Sequence, residues 1–223
     1  MKTYIKQFVK RHYFLFRICN SLVKPFMRIK NMRGVKVDNK GAGSFVIDNV
    51  GTGNSIYASE GSFFDKTRIH ICGNNNHIEF GPNCIVGENC SFWMEGDNIS
   101  ITIGAKTTFT HTVHFCAQEN DMFIVVGEDC MFSNSIVVRT SDSHPIYDIR
   151  THTRINPPKP VVVGSHVWIA PNSKIMKCAD IGDGAIIGSN TIVTKPVPAN
   201  TLVVGAPAKV VKENVMWTRE ELF

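Results

Sequence analysis

The sequence predicts an all-β chain wound as a parallel β-solenoid, on three observations. From Val163 an aliphatic residue recurs at every sixth position, through Ile169, Ile175, Ile181 and Ile187 to Val193. Four residues after each stands a side chain that is usually small: Val167, Ser173, Ala179, Ala185, Thr191 and Val197. Upstream, three further sets of hexads start 23 residues apart, at Phe80, Ile103 and Val126.

Six-residue spacing fits neither the 3.6-residue period of a helix nor the two-residue alternation of a strand. It fits a three-sided coil of about 18 residues in which the aliphatic and the small residue of each side point inward. Backbone hydrogen bonds then run between coils stacked ~4.8 Å apart. Glycine follows the aliphatic position at Gly164, Gly182 and Gly188, where size limits at the corners favour it. The upstream sets continue as Val86 and Phe92, as Phe109 and Phe115, and as Phe132 and Val138. Their period is one coil plus a five-residue insertion. Cys84, Cys90 and Cys130 fall on the small inward position and read as core hydrophobes. Asn74, Asn75 and Asn76 read as a turn, since Asn tolerates left-handed backbone.

Between the third set and Val163 about 19 residues are left over after one coil, a loop roughly from His144 to Val162. A long loop in a strict solenoid points to function. The strands begin near Ser44–Ile56, where the pattern is weak, and the repeat ends at Pro196 and Pro198. Ala208–Phe223 reads as a strand or helix that closes the last coil, because an open edge invites aggregation. The predicted division is an arm over 1–40, a β-helix over 41–207 with a loop at 139–162, and a C-terminal cap over 208–223.

With 223 residues, 43% of them apolar, the chain can bury one sizeable core. No apolar run approaches the ~18 residues of a membrane span. Nine of the 24 basic side chains lie in residues 1–33, which hold no acid, so the rest carries 15 basic against 19 acidic residues. Tyr4, Ile5, Phe8, Tyr13, Phe14, Leu15 and Phe16 interleave with the basic groups. That amphipathic, helical arm suits either an anionic membrane surface or packing on the protein itself. Nucleic acid is not expected as a partner, because the basic tract is confined to the arm. Seven cysteines without a CxxC pair argue against a disulfide frame or a structural zinc site, and they suggest the cytoplasm.

Three segments carry a resemblance. Asp142-Ser143-His144-Pro145-Ile146-Tyr147, Val163-Gly164-Ser165-His166-Val167-Trp168-Ile169 and Gly205-Ala206-Pro207-Ala208-Lys209 resemble the hexapeptide-repeat O-acetyltransferases, which include the galactoside and maltose enzymes. Arg154-Ile155-Asn156, the 24-residue gap from His144 to Trp168, and the tail from Lys209 to Asn214 with Trp217 resemble the bacterial capsular polysialic acid O-acetyltransferases. The resemblance covers about residues 70–217. It implies a left-handed coil, a homotrimer with its site between neighbouring subunits, acetyl-CoA as co-substrate, no required metal, and a carbohydrate acceptor. Together with the basic arm it suggests work at the inner membrane face on a cell-envelope polysaccharide or oligosaccharide.

His144 is the candidate base. A sugar hydroxyl must lose its proton as it attacks a thioester, and an imidazole with a pKa of roughly 6.5 suits that task. The resemblance places Trp168 in the site, beside the acetyl group or the acceptor. The oxyanion of the reaction needs a fixed donor, for which main-chain N–H groups on successive coils are candidates. Ala170, Gly188 and Ser189 are the expected contacts of the pantetheine arm, although Pro171, next to Ala170, has no N–H. Thr194, Lys195 and Lys209 are expected at the nucleotide end, with Lys212 a weaker candidate. His114, Asp142 and Tyr147 are expected to meet the acceptor. Asp142 and Asp148 are equally placed to orient His144.

Three rival readings remain open from the residues. A γ-type carbonic anhydrase needs three histidines on zinc between subunits, and His111, His114, His144, His152 and His166 supply enough, though His144 and His152 are eight apart instead of five. An N-acyltransferase on a nucleotide-linked amino sugar usually carries an N-terminal nucleotide-binding domain, for which residues 1–40 are too short. A non-enzymatic solenoid would show flat threonine rows and would not need His144 in a long loop.

Overall fold

The structure, a computed structural model, describes residues 29–31 and 34–222. The sixfold spacing becomes a three-sided tube of parallel strands in two sheets of 7 and 13 strands. The smaller sheet is the first face. It runs through Val35–Asn39, Asn54–Ala58, His77–Phe80, Ser100–Ile103, Phe123–Val126, Val161–Val163 and Asp180–Ile181. The larger sheet wraps the second and third faces, and its strands Phe63–Cys72, Thr108–Gln118 and Met131–Arg139 continue from one to the other.

The register follows the periods read from the sequence. Phe80 pairs with Ile103, Ile103 with Val126, Val126 with Val163, and Val163 with Ile181. Every hexad residue and every small residue of the later set is buried, as are Cys84, Cys90 and Cys130. Burial pushes those three thiols up to about 11, so they are inert hydrophobes at neutral pH. The upstream coils are filled by phenylalanine, with ring centroids 5.1 Å apart for Phe92 and Phe115 and 4.8 Å for Phe109 and Phe132.

Two features define the corners. The turn between second and third faces carries a left-handed residue in each coil, at Lys66, Asn89, Thr112, Ser135, Asn172 and Asn190. The glycines after the aliphatic positions serve a different purpose, namely close stacking. A Cβ on Gly104 would lie 2.5 Å from the carbonyl carbon of Gly127, and one on Gly127 would lie 2.6 Å from that of Gly164. The five-residue insertion forms the corner between third and first faces. Asn75 is left-handed there, as the predicted turn requires. Buried Asn54 accepts from the Asn76 amide (2.8 Å), and Asn76 accepts from the Ile99 amide (2.8 Å), so side chains complete the ladder where strands are absent.

The solenoid starts earlier than the sequence pattern indicates. Ile29–Asn31 pairs with Ala42–Val50, and Val35–Asn39 pairs with Asn54–Ala58, inside the stretch assigned to the arm. The helix expected in that arm lies outside the described residues. At the other end the closing element is a strand: Lys209–Glu213 runs antiparallel to Thr201–Val204. Beyond it, Trp217 is 5% exposed and stacks on His166 with centroids 4.1 Å apart.

Candidate active site

The long loop leaves the third face after Arg139 and rejoins the first face at Val161. It is folded back by an antiparallel bridge between Tyr147 and Arg154. At its tip Asp148 accepts from the amides of Arg150 (2.8 Å) and Thr151 (3.0 Å). Two ion pairs fix the loop to the tube, and one buried side chain ties it together. Arg154 holds Glu119 of the preceding coil with both terminal nitrogens (2.6 and 2.8 Å). Lys177 of the following coil holds Asp142 (2.6 Å). Between them sits Asn156, 7% exposed. Its amide nitrogen donates to Asp142 Oδ2 and to the main-chain oxygen of His144 (both 2.9 Å), and its oxygen accepts from the Ile146 amide (2.6 Å).

These contacts set the electrostatics. Arg154 holds the Glu119 carboxyl below the usual carboxylate range, and Lys177, then Asn156, do the same for Asp142. Both are anions at neutral pH and both are engaged in the loop's attachment. His144 is exposed, and among the described residues its ring makes no hydrogen bond. Of the two carboxylates proposed to orient that ring, Asp142 is turned to Lys177 and Asn156, and Asp148 to its own turn. The loop therefore fixes the backbone at His144 and leaves its imidazole free.

The structure brings together some predicted residues and separates others. Asp142 and Thr194 line one depression of about 380 Å³ with Asn156, Lys159, Lys177 and Cys178. Lys195 follows Thr194 and is exposed. Tyr147 is exposed on the loop. His114 lies on the third face, where its Nδ1 meets Ser91 Oγ at 2.8 Å; burial, then Arg139, holds its imidazole below the ordinary histidine value. Lys209 and Lys212 lie exposed on the closing strand. Trp168 stands on the second face between Met131 and Ile186, half-buried, with its ring 6.2 Å from Trp217. The loop springs from the corner between the third and first faces, which is the corner opposite the second face. Within one chain, His144 and Trp168 thus lie on different sides of the tube.

At two of the three expected pantetheine contacts the main-chain amide is already engaged within the tube. The Ala170 amide donates to Ile187 O and the Gly188 amide to Val203 O, both at 2.8 Å, because both sit in rungs with a coil above them. Ser189 is exposed, and its amide has no partner among the described residues. Sequence reasoning did not identify Glu119, Lys177 or the clasp of Trp217 on His166 as parts of this region. Asn156 and Arg154 were visible only as a run inside the loop.

Comparison with known proteins agrees with this architecture. Residues 160–195 match the family model described as bacterial transferase hexapeptide (six repeats). A polysialic acid O-acetyltransferase of Neisseria meningitidis is 32% identical over 199 residues, covering 80% of this chain and 92% of that protein. A polysialic acid O-acetyltransferase of Escherichia coli O1:K1 is 35% identical over 121 residues, which are 54% of this chain and 39% of that protein. The crystal structure of the polySia specific acetyltransferase NeuO superposes with a TM-score of 0.75 at 27% identity, covering 85% of this chain and 84% of that one.

Proposed function

The chain belongs to the bacterial hexapeptide-repeat O-acetyltransferases and is an acyltransferase, and from that premise we propose that it moves an acetyl group from acetyl-CoA to a sugar hydroxyl of a bacterial cell-surface polysaccharide. The observation that carries the reading is His144, an exposed imidazole on a loop whose backbone is pinned by Asn156. In the proposed step the imidazole removes the hydroxyl proton as the oxygen attacks the thioester carbonyl. The tetrahedral oxyanion is met by a fixed donor, for which the unpaired Ser189 amide is the remaining main-chain candidate. Collapse breaks the carbon–sulfur bond, and the imidazolium returns its proton to the CoA thiolate. No acyl-enzyme is needed when both substrates meet at one site.

The opposite placement of His144 and Trp168 supports a homotrimer, in which the loop of one subunit faces the second face of its neighbour. Thr194, Lys195 and Lys209 are the proposed contacts of the CoA phosphates. Asp142 acts through the loop, and His114 and Tyr147 are left as acceptor contacts. A sialic acid polymer is the first acceptor to try, in line with the relatives' names. The proposed location is the cytoplasm, at the inner membrane face; among the described residues no helix is long and apolar enough to cross a membrane.

The test is thiol release from acetyl-CoA against a panel of polysaccharides that includes sialic acid polymers, with amino sugars as the contrasting acceptors and NMR of the product. His144→Ala should lower turnover ~10²-fold or more while the protein stays folded. A folded variant with near-normal turnover removes His144 from this role, and preference for an amine removes the O-acetyl assignment.

A further inference from the structure

The third face carries, beside the acceptor candidate His114, an outward column to which the proposed reaction assigns no role. His70, Trp93, Cys116 and Arg139 occupy matching rungs of four successive coils, three inter-coil steps or about 14 Å in all. Trp93 is 38% exposed. His70 packs against its indole from the coil below, with centroids 4.7 Å apart, and His114 meets it edge-on at 5.8 Å from the coil above. Ser91 fixes the His114 ring through Nδ1. The column leads directly to the loop. Arg139 Nη2 donates to Ser143 Oγ (2.6 Å) and to Gln118 Oε1 (3.3 Å), and Ser143 is the residue before His144. Arg139 Nε is shielded from solvent and has no hydrogen-bond partner among the described residues.

An indole face on a rigid sheet, edged by imidazole, amide and guanidinium groups, has the chemistry of a pyranose site. The C–H face of a sugar stacks on the aromatic ring, and its hydroxyls reach polar groups at the edge. We propose that this column is an extended acceptor subsite, which holds sugar units of the polysaccharide chain several units away from the one acetylated at His144. This inference rests on the polysaccharide acyltransferase reading above.

The experiment compares wild type, Trp93→Ala and Trp93→Phe on sialic acid chains graded from dimer to long polymer. In the wild type, KM for the acceptor should fall with chain length until the column is filled. Trp93→Ala should raise KM for long chains about tenfold, the effect of losing one good stacking contact. Turnover at saturation, KM for acetyl-CoA and KM for the dimer should stay the same, and Trp93→Phe should restore most of the affinity for long chains. A KM independent of chain length in the wild type overturns the proposal without any variant. So does an unchanged long-chain KM in a folded Trp93→Ala protein. A Trp93→Ala protein whose subunits separate in sedimentation, while the wild type holds together, assigns the column to a subunit contact and also overturns it. A wild type that acetylates no sialic acid chain removes the parent reading, and the subsite with it.

Discussion

The coils before the long loop and the coils after it obey one spacing rule with different material. Before the loop, inward positions hold Phe45, Phe64, Phe80, Phe92, Phe109, Phe115 and Phe132, the coils lengthen from 19 to 23 residues, and strands reach 11 residues. After it the same positions hold Ile and Val opposite Ala, Ser and Thr, the coils are about 18 residues long, and strands shrink to two residues. The extra residues of the upstream coils form the Asn-lined corner between third and first faces, which the later coils lack. The loop is inserted where the two gauges meet, between the last Phe-filled coil and the first aliphatic one. A junction of this kind tolerates an insertion, because the strict 18-residue repeat begins only after it.

The comparison can be broken most decisively in the filler. Phe92→Ala should cost about 3–5 kcal/mol and Ile187→Val about 0.5–1.5 kcal/mol, read from urea midpoints. A Phe92→Ala cost no larger than that of the single methylene lost in Ile187→Val would mean that the phenylalanine filler is not closely packed. Asn76→Ala comes next. It leaves the Ile99 amide and the Gly96 carbonyl without the partners that Asn76 gives them. A loss of about 1–3 kcal/mol is expected, in a type of corner that the later coils lack. At the junction itself Asn156→Ala removes the partner of the Ile146 amide, the His144 carbonyl and Asp142, so it should loosen the loop by about 1 kcal/mol or more and lower turnover about tenfold or more, because a displaced reacting group is slow even when the tube is intact. A wild-type rate with a folded protein would separate Asn156 from the chemistry.

The smallest effect concerns pH. Glu119 and Asp142 have folded pKa values below their unfolded ones, so their contribution is present above the ordinary carboxylate range and is lost as pH falls through the folded values. Hydrogen-exchange protection factors, corrected for the intrinsic pH dependence of exchange, should therefore fall over residues 142–156 as pH drops below the ordinary carboxylate range, ahead of any change in the Phe-filled coils. Exchange that rises in both regions together would show that the loop has no separate attachment.

What was legible in the sequence was whatever repeats. Inward positions recur at fixed spacing because each coil must fit the one below, so the hexads, the 23-residue period and the buried Cys84 could be read directly. The loop's attachment could not. Glu119 and Arg154 are 35 residues apart, Asp142 and Lys177 likewise, and each pair occurs once. The first strands were missed because Val35 and Val37 show a short alternation with no hexad. His144 and Trp168 were visible as motif residues, but their opposite placement became visible only when the corner was assigned to the loop and the second face to the tryptophan.

The reversal at Gly205–Pro207 has a consequence for the molecule in a crowded cell. A parallel tube is a template, since its final rung offers an incoming rung the same pattern it received. Turning Lys209–Glu213 back against Thr201–Val204 presents the opposite polarity at that edge of the second face, so the first rung of another copy finds no matching pattern there. A chain cut short before Lys209 should leave the Thr201–Val204 edge uncovered, seen as faster amide exchange at that strand.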